Sequence, residues 1–433
     1  MVTDRRSGYY EVDREKMDIS ARVEFERETL KTVMEYAYGK SSAMRKKLED
    51  AGVDPTSVRE RKDLERIPLT KKAELRKIQE QDLPFGGLTG CEVDELKRIY
   101  VSPGPTYDPE GRGESHFRWE KPFFAAGFRK GDVVQNTFSY HMSPAGFMFD
   151  EALINLGCTV IPAGVGNTEM QAQIMKELPV TGYVGTPSFL MTILTKAREM
   201  GFDPSDDFNL EVALVAGEML PDSLRKQFSD EFGIMVRQCY GTADVGSLGY
   251  ECFFAKGMHI PDEILLEIVE PESGKQVQDG ETGEVVVTLG SPVYPLVRFA
   301  TGDLSYIVDE PCPCGRTSKK LGRIVGRVDQ VTKVRGMFVY PTQVERLEGR
   351  FAEVSQMQVI VEREGHEDRM TICAVLAKAA KPSDDLRSKI ELEVREVFKL
   401  RGICSFVTDE EIVEGGKKIV EGGKKIVDKR KWD

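Results

Sequence analysis

The residues of this chain best suited to chemistry stand in short polar clusters that follow apolar runs. In QCYGTADVG, an aromatic ring, a glycine, a hydroxyl and a carboxylate occur together at Tyr240, Gly241, Thr242 and Asp244. At the end of a strand such a set could stack a planar base, approach a phosphate and hold a hard cation. An ordinary Gly–Asp turn accounts for the same residues, so both interpretations stay open.

Two more stretches carry groups that bind hydroxyls or phosphates. YPLVRFATGDLSYI places Asp303 directly after a glycine, where its carboxylate could accept two hydroxyls of a sugar. GRIVGRVDQ offers the donor fork of Arg327 for a phosphate or ribose. Asp329 could be a hinge, because hinges fall at a few positions between elements. A plain turn and a solvated basic linker are the respective alternatives.

A loop with serine, glycine and threonine follows the apolar run KRIYV, in the place expected of a phosphate loop. It supplies Ser102, Gly104 and Thr106. It has no lysine, and its two prolines remove backbone N–H donors. It does not match the G-x-x-x-x-G-K-[ST] pattern, so the loop alone is a weak signal.

Four of the sulfur and imidazole side chains could hold a metal ion. Cys252 and His259 are seven residues apart, and Cys312 and Cys314 flank a proline. Three thiols and one imidazole suit a tetrahedral structural zinc ion, although these spacings differ from those of common zinc fingers. Free thiols in a tight PCPCG turn are the alternative, and composition alone favours neither.

Bulk composition argues against several classes of protein. The 433 residues are too many for one ordinary core, so two domains are expected. The net charge of −12 argues against nucleic acid or an anionic membrane as the main partner. The N-terminus has no apolar signal segment, and no apolar run reaches the ~18 residues that span a bilayer. A cytoplasmic location is expected, with thiols or metal ligands rather than disulfides.

The elements that must position these residues follow from the spacing of apolar residues. Residues 20–80 predict helices, and from about residue 97 short apolar runs alternate with helical stretches. This alternation predicts an α/β fold with a largely parallel sheet, covered by helices and with function at the carboxyl ends of its strands. Residues 262–308 predict an antiparallel or barrel-like part. The predicted domains are 1–328 and a small α+β domain, 329–433.

Together and in order, these motifs resemble the adenylate-forming (AMP-binding) superfamily, and specifically its phenylacetate–CoA ligase family. The resemblance covers most of the chain through EFERETLKTVMEYAY, GNTEMQ, GTPSFL, VAGE, YGTAD, YPLVRFATGD, GRIVGRVDQ and VDKR. It implies an enzyme that converts a carboxylate and ATP into an acyl-adenylate and pyrophosphate. A mobile C-terminal domain then rotates, and the acyl group passes to coenzyme A. ATP, Mg²⁺, coenzyme A and a structural Zn²⁺ are implied, and a homodimer is one expectation.

The resemblance also assigns roles to single residues. Those at the nucleotide are Ser102, Gly104 and Thr106 in the phosphate loop, Gly217 and Glu218 at adenine, Tyr240 stacked on adenine, Gly241 and Thr242 at the α-phosphate, Asp303 at ribose and Arg327 at ribose or phosphate. Asp244 would bind magnesium, where the family usually has the longer glutamate. The remaining roles are Asp329 as hinge, Gly336 on the path of coenzyme A, and Cys252, His259, Cys312 and Cys314 as zinc ligands.

The acyl pocket of this family is expected between about residues 136 and 190. NTFSYHMSPAGFMFDEA supplies Phe138, Tyr140, His141 and Phe147. An aromatic wall of this kind suits an aryl or arylalkyl acid. The alternative is that most of these rings belong to the core.

The tail repeats a lysine-containing element, EGGKKIVEGGKKIV, before VDKR. The family carries its catalytic lysine in a Gly–Lys segment at this place. Lys424 is nearest to VDKR and is the first choice, and Lys417 is its copy one repeat earlier. Lys418 or Lys425 would serve if the register differs by one residue.

Two other functions remain open. Coenzyme F390 synthetase, which adenylylates a deazaflavin hydroxyl, resembles the same branch and needs no thiol step. A non-catalytic nucleotide-binding relative is the second alternative, because the phosphate loop has no lysine.

Overall fold

The computed structural model of the protein describes residues 4–102, 105–113, 115–330, 332–334, 337–364, 367–378, 380–408, 412–414, 417–418 and 425–430. The chain divides into two compact units. The first contains Met1–Thr301 and Ser305–Arg323, and the second contains Gly302–Leu304 and Ile324–Asp433. The predicted boundary after residue 328, which concerns where a moving domain begins, remains a prediction.

The N-terminal part is helical, as its apolar spacing predicts. The long helix Ile19–Lys40 buries Leu30, Val33, Met34 and Ala37, which recur at the three- and four-residue intervals of one helix face. The Asp18 side chain caps its first turn. The other helices here are Val12–Glu15, Ser42–Asp50 and Leu75–Gln81, with short 3-10 turns at Pro55–Ser57, Arg61–Arg66, Lys72–Glu74 and Val93–Glu95.

A nine-stranded central sheet forms the body of the first unit. Its strands, in spatial order, are Ile307–Val308, Lys320–Leu321, Met258–His259, Gly246–Tyr250, Met235–Thr242, Val212–Val215, Gly182–Gly185, Val133–Asn136 and Thr159–Pro162. The last five run parallel, which confirms the predicted α/β fold. The first four strands of this order are antiparallel to their neighbours, and the fourth, Gly246–Tyr250, is antiparallel to Met235–Thr242.

Helices and two apolar cores surround the parallel strands. Val212 and Leu214 pack into one core and Ala213 and Val215 into the other, because successive side chains of a strand point to opposite faces. Burial on both faces is typical of a parallel sheet. The helices are Glu120–Ala126, Ala145–Leu156, Thr168–Glu177, Pro187–Glu199, Pro204–Asp207 and Asp222–Phe232.

The antiparallel part predicted after residue 262 is present. Its strands lie in the order Thr70–Lys71, Phe299–Ser305, Gly283–Leu289 and Ile264–Val269, with Gly326–Arg327 paired to Phe299–Ser305. The run KRIYVS forms no part of the parallel sheet. It lies in a separate hairpin of Leu96–Ser102 and Thr106–Gly111, which we call the phosphate-loop hairpin.

The second unit is an α+β fold, as predicted. Its main sheet has the order Ile403–Val407, Glu367–Leu376, Val354–Glu364 and Ile426–Asp428, and its helices are Pro341–Glu348 and Asp384–Phe398. Short hairpins join Thr332–Val334 to Met337–Val339 and Val413–Glu414 to Lys417–Lys418, and a 3-10 turn spans Val328–Gln330. Among the described residues of the chain, no helix has the length and apolar character needed to cross a bilayer.

Candidate functional site

The predicted magnesium ligand Asp244 is buried and paired with a lysine. Only 4% of its surface is exposed, and Lys72 Nζ lies 2.5 Å from its Oδ2 atom. Asp244 follows the strand Met235–Thr242, while Lys72 begins the turn before the helix Leu75–Gln81. A cation therefore already neutralises the predicted metal ligand.

A second carboxylate, Asp108, connects the phosphate loop to this pair. It lies in the second strand of the phosphate-loop hairpin and is completely buried. The Ser102 hydroxyl donates a hydrogen bond to its Oδ2 atom, whereas its Oδ1 atom has no partner among the described residues. Burial, followed by repulsion from Asp244, raises the pKa of Asp108 to about 8, against the opposing effects of Ser102 and Lys72.

The helix Leu75–Gln81 holds the phosphate-loop hairpin in place. Gln79 Nε2 donates to the carbonyl of Tyr107 at 2.7 Å, and its Oε1 accepts from the Tyr107 N–H at 3.0 Å. Arg76 Nη1 donates to the carbonyl of Pro105 at 3.0 Å. One segment, residues 72–79, therefore brings an ammonium to Asp244 and fixes the loop that contains Thr106, which is itself buried.

Tyr240, Gly241 and Thr242 are tightly packed where the strand ends. The Tyr240 ring is only 9% exposed, and its hydroxyl donates to Thr301 Oγ1 at 3.2 Å. A Cβ atom on Gly241 would lie 2.4 Å from the carbonyl oxygen of Gly246, so only glycine fits. The Thr242 hydroxyl accepts from the Val245 N–H at 3.3 Å. Their roles at adenine and phosphate remain predictions.

Gly217 and Glu218 lie in the loop after the strand Val212–Val215. Gly217 has a φ of +82°, which favours glycine, and a Cβ there would be 3.9 Å from Phe138 Cε1. Glu218 accepts hydrogen bonds from the hydroxyl and N–H of Ser188 at 2.9 and 3.3 Å. The structure thus brings the predicted adenine loop next to the first predicted acyl-pocket ring.

The rings of the predicted aromatic wall contact one another and the core. The Phe138 ring centroid is 4.9 Å from that of the buried Phe149. Phe147 meets Tyr140 edge to face at 5.2 Å. Tyr140 Oη donates to Asp150 Oδ1 at 3.1 Å, and burial and this carboxylate raise the pKa of the phenol. His141 is exposed and makes no ring contact among the described residues.

In the second unit, three predicted residues form one chain of contacts. Arg327 Nη1 donates to Asp303 Oδ1 at 3.0 Å, and Arg327 Nε donates to Asp329 Oδ1 at 3.3 Å. Sheet register places Asp303 opposite Arg327. The three residues are partly or fully exposed, so a nucleotide could reach them.

The predicted metal ligands come together from two segments. The ligand atoms of Cys252, His259, Cys312 and Cys314 all lie within 4.8 Å of one another. Cys252 Sγ is 3.5 Å from Cys312 Sγ, and Cys314 Sγ is 3.4 Å from His259 Nε2. Zinc–sulfur bonds of about 2.3 Å in a tetrahedron put ligand atoms roughly 3.8 Å apart, so this set fits zinc. All eight cysteines are free of disulfides.

Groups around this cysteine–histidine cluster support its ligands. Ser318 Oγ lies 3.4 Å from His259 Nδ1, so it can fix the imidazole orientation. The Arg316 N–H donates to Cys314 Sγ at 3.4 Å. Tyr9 Oη donates to the carbonyl of Cys314 at 2.6 Å, and this contact joins the N-terminal segment to the loop.

Several predicted residues lie outside the described part of the chain. They are Gly104 in the phosphate loop, Gly336 on the coenzyme A path and Lys424 in the tail. The backbone of Lys417 is described in a short strand where it pairs with Glu414, but its side chain is not. Lys425 Nζ lies 2.7 Å from Glu348 Oε2.

Sequence reasoning missed Lys72 and Asp108. Neither belongs to a recognisable motif, since Lys72 is the second of two adjacent lysines and Asp108 lies inside the strand TYDPEG. The absence of a lysine from the phosphate loop was the one available signal that a cation had to come from elsewhere.

The fold and this set of loops define the class of adenylate-forming enzymes, and comparison with known proteins agrees. Residues 125–291 match the family model of the AMP-binding enzymes. A phenylacetate-coenzyme A ligase of Thermus thermophilus is 32% identical over 89% of this chain and 84% of its own length. One of Aromatoleum evansii is 29% identical over 80% and 79%. The chain belongs to the phenylacetate–CoA ligase family, and it is an AMP-forming acid–thiol ligase.

A solved structure shares the fold. An open conformation of 2-hydroxyisobutyryl-CoA ligase, in complex with 2-HIB-AMP and CoA, matches with a TM-score of 0.86 at 22% identity. The match covers 99% of this chain and 95% of that one. It confirms the architecture of an adenylate-forming ligase for the two units described above.

Proposed function

We propose that the enzyme joins an aryl or arylalkyl carboxylic acid of the phenylacetate type to coenzyme A, with release of AMP and pyrophosphate. The observation that carries the acid class is the position of Phe138 beside the loop of Gly217, with Tyr140 and Phe147 in edge-to-face contact nearby. Aromatic rings at an apolar pocket favour an aryl group. The names of the two relatives point to the same class.

The first half-reaction needs the negative charges of ATP and the acid to be neutralised while they meet. In the first unit, Ser102, Gly104 and Thr106 would hold phosphate, Gly217, Glu218 and Tyr240 would hold adenine, and Gly241 and Thr242 would approach the α-phosphate. Asp244 would hold the Mg²⁺ ion that accompanies ATP. The ion would neutralise phosphate oxygens and orient the nucleotide.

Lys72 bears on the non-catalytic alternative. That alternative arose because the phosphate loop has no lysine. The ammonium of Lys72 lies at Asp244, beside the carboxylate that accepts from Ser102, so a positive charge is available near the loop. We therefore favour catalysis over nucleotide binding alone.

The residues of the second unit would act in both half-reactions. Asp303 and Arg327 would bind ribose and phosphate. Rotation about Asp329 between the two half-reactions would then present a different face of the domain 329–433 to the active site. Lys424, or its copy Lys417, would meet the carboxylate and α-phosphate during adenylation. Gly336 would leave room for the pantetheine arm of coenzyme A.

Zinc would be structural in this enzyme. Cys252, His259, Cys312 and Cys314 would complete a four-ligand site, which leaves no open position for water or substrate. The ion would join the segment near residue 252 to the loop near residue 312. A cytoplasmic homodimer belongs to the same proposal, and sedimentation of the purified protein tests the dimer.

ATP–pyrophosphate exchange across a panel of aryl acids, with and without coenzyme A, tests the function. Exchange that depends on an aryl acid, followed by thioester formation with coenzyme A, is the expected result. Transfer of AMP to a deazaflavin hydroxyl would instead favour the coenzyme F390 synthetase-like alternative. Nucleotide binding with no exchange for any acid would contradict catalysis.

A further inference from the structure

Asp244 is one carbon shorter than the glutamate that the family usually has, and a second carboxylate lies beside it. We propose that Asp108 is a second carboxylate ligand of the divalent cation that accompanies ATP. Lys72 occupies the place of that cation on Asp244 when nucleotide is absent. The inference rests on the proposed function and adds to it a ligand that the family resemblance does not assign.

When both carboxylates are ionised, the charges of the buried site do not balance without another cation. Asp108 is 0% exposed and Asp244 is 4% exposed, so two carboxylates are removed from water together. One ammonium, that of Lys72, is paired with them through Asp244. Buried carboxylates are stable only when they are paired, coordinated or protonated. With both carboxylates ionised, the site is therefore short of one positive charge, which either a bound cation or a proton on Asp108 would supply.

The oxygen atoms of Asp108 show where the missing charge would bind. Its Oδ2 atom accepts from the Ser102 hydroxyl, and its Oδ1 atom accepts from no donor among the described residues, while the Asp108 side chain lies within hydrogen-bonding reach of the Asp244 carboxylate. Lys72 is paired with Asp244 Oδ2 rather than with Asp108. A hard divalent cation binds oxygen ligands and would satisfy both the charge and the unpartnered oxygen.

Asp108 lies close to the predicted phosphate loop. The hairpin register pairs Ser102 with Thr106, so Asp108 lies two residues beyond the end of the predicted phosphate loop. Protein-bound Mg²⁺ usually takes one or two carboxylates and completes its shell with substrate phosphates and water. A second carboxylate from the hairpin compensates for the short reach of Asp244.

Lys72 can leave Asp244 when the cation arrives. Its side chain is 33% exposed, while the Asp244 side chain is 1% exposed, so the lysine lies on the solvent side of the pair. An ammonium is a compact charge on a flexible stem and can move towards the phosphates. The cation and the ammonium therefore exchange at one carboxylate, and Asp244 stays paired with a positive charge throughout.

Titration with Mn²⁺ tests the proposal on the full-length protein. Electron paramagnetic resonance measures the free ion and so gives the bound fraction. The protein is saturated with α,β-methylene-ATP, which adenylation cannot cleave. Asp108→Asn should raise the Kd for Mn²⁺ by about 10-fold or more, as expected for a carboxylate that contacts a metal site. The matched control is Glu110→Gln, two residues along the same strand, which should keep the wild-type Kd.

Asparagine resembles a protonated aspartic acid. The variant therefore distinguishes a cation bound to Asp108 from a proton carried by Asp108. If Asp108→Asn binds Mn²⁺ as tightly as wild type, Asp108 carries a proton rather than the cation, and the proposal is wrong. Failure of the proposed function is a different result, in which wild-type protein shows no acid-dependent exchange whatever its Mn²⁺ affinity. Asp108→Glu, which keeps the carboxylate, should restore binding relative to Asp108→Asn.

Lys72→Met gives a second test that does not alter Asp108. Without nucleotide, the variant should bind Mn²⁺ more tightly than wild type, because the competing ammonium is gone. Equal affinity of the two proteins would contradict the exchange of cation and ammonium. Thermal denaturation of each variant confirms that it folds before Mn²⁺ is titrated.

Discussion

Arg327 holds the carboxylate of Asp303, with Nη1 3.0 Å from Oδ1, while its Nε donates to Asp329. The backbone of the two residues is already paired in the sheet, so the ion pair stabilises a register that the strands impose. A residue assigned to ribose and a residue assigned to the hinge therefore share one guanidinium.

Arg327→Lys should weaken ATP binding more than it slows the chemical step. A lysine is a point charge and cannot contact both carboxylates in a fork. A hydrogen bond to a charged group contributes about 1.5–3 kcal/mol, so the KM for ATP should rise by roughly 10-fold or more. Steady-state ATP–pyrophosphate exchange measures it. Arg323→Lys, four residues earlier at an exposed position, is the control. An unchanged KM for ATP in Arg327→Lys would show that Arg327 does not bind the nucleotide.

Exchange of Cys312 and Cys314 for serine should release the zinc ion. Wild-type protein should contain about one equivalent, since four ligands suit one tetrahedral ion. Elemental analysis of purified protein, paired with thermal denaturation, gives the metal content and the loss of stability. Cys91→Ser, outside the cluster, should keep the metal content and the stability of wild type. A wild-type protein that is metal-free and fully folded would contradict the zinc assignment.

Local patterns predict the fold well and long-range pairs poorly. Short apolar runs indicate the parallel strands because both faces of those strands are buried. Ligand chemistry alone leaves the cysteine–histidine cluster open, since Cys252 and Cys312 are 60 residues apart, and the family resemblance favours it. Lys72 and Asp244 are 172 residues apart, and nothing in the sequence around Lys72 distinguishes it from the other lysines as the partner of Asp244. The register of the phosphate-loop hairpin decides that Asp108 faces inward, and only the folded chain shows it.

The aromatic wall illustrates the same limit in the acyl pocket. Sequence allows each ring to be pocket or core, and the structure gives Phe138 both neighbours, the buried Phe149 and the loop of Gly217. The same ring therefore has a core neighbour and a neighbour in the predicted nucleotide loop. Composition cannot separate these two surroundings of one side chain.

Stability should rise with pH in the alkaline range because of Lys47. Its Nζ donates to Thr70 Oγ1 at 2.6 Å and to the carbonyl of Val297 at 2.7 Å, and burial lowers its pKa from 10.5 to about 7. Between about pH 7 and pH 10.5 the unfolded chain binds a proton that the folded chain does not. Unfolding then takes up a proton, so the free energy of unfolding increases by up to about 1.4 kcal/mol per pH unit.

Urea denaturation at several pH values compares wild type with Lys47→Met. The variant has no titrating group at this site, so its apparent midpoint should vary less between pH 7.5 and 9.5, about the range in which the shift acts. Lys46→Met, an exposed neighbour, should follow wild type. Parallel curves for wild type and Lys47→Met would show that Lys47 keeps its proton in the folded protein.

Asp329→Pro should separate the two half-reactions. Asp329 lies in the 3-10 turn Val328–Gln330, and proline fixes φ at about −65°, so one backbone conformation would be favoured. Adenylation, measured by pyrophosphate exchange, and thioester formation from isolated acyl-adenylate should then fall by very different factors. Asp329→Ala, which removes the contact with Arg327 but leaves the backbone free, is the control. Equal loss of both steps in the proline variant would contradict a hinge.

The tail repeat predicts which lysine performs adenylation. Lys424→Ala should abolish most acid-dependent exchange while thioester formation from supplied acyl-adenylate persists, because a positive charge at the α-phosphate acts only in the first step. Lys417→Ala should have the smaller effect, since Lys417 belongs to the copy farther from Asp428, whose strand pairs with Val354–Glu364. Lys389→Ala, an exposed lysine on Asp384–Phe398, is the surface control. Full exchange activity in both tail variants would leave Lys418 and Lys425 as the candidates, and full activity after each of the four lysines is changed singly would show that the duplicated element takes no part in catalysis. A larger loss for Lys417→Ala would move the catalytic role to the first copy.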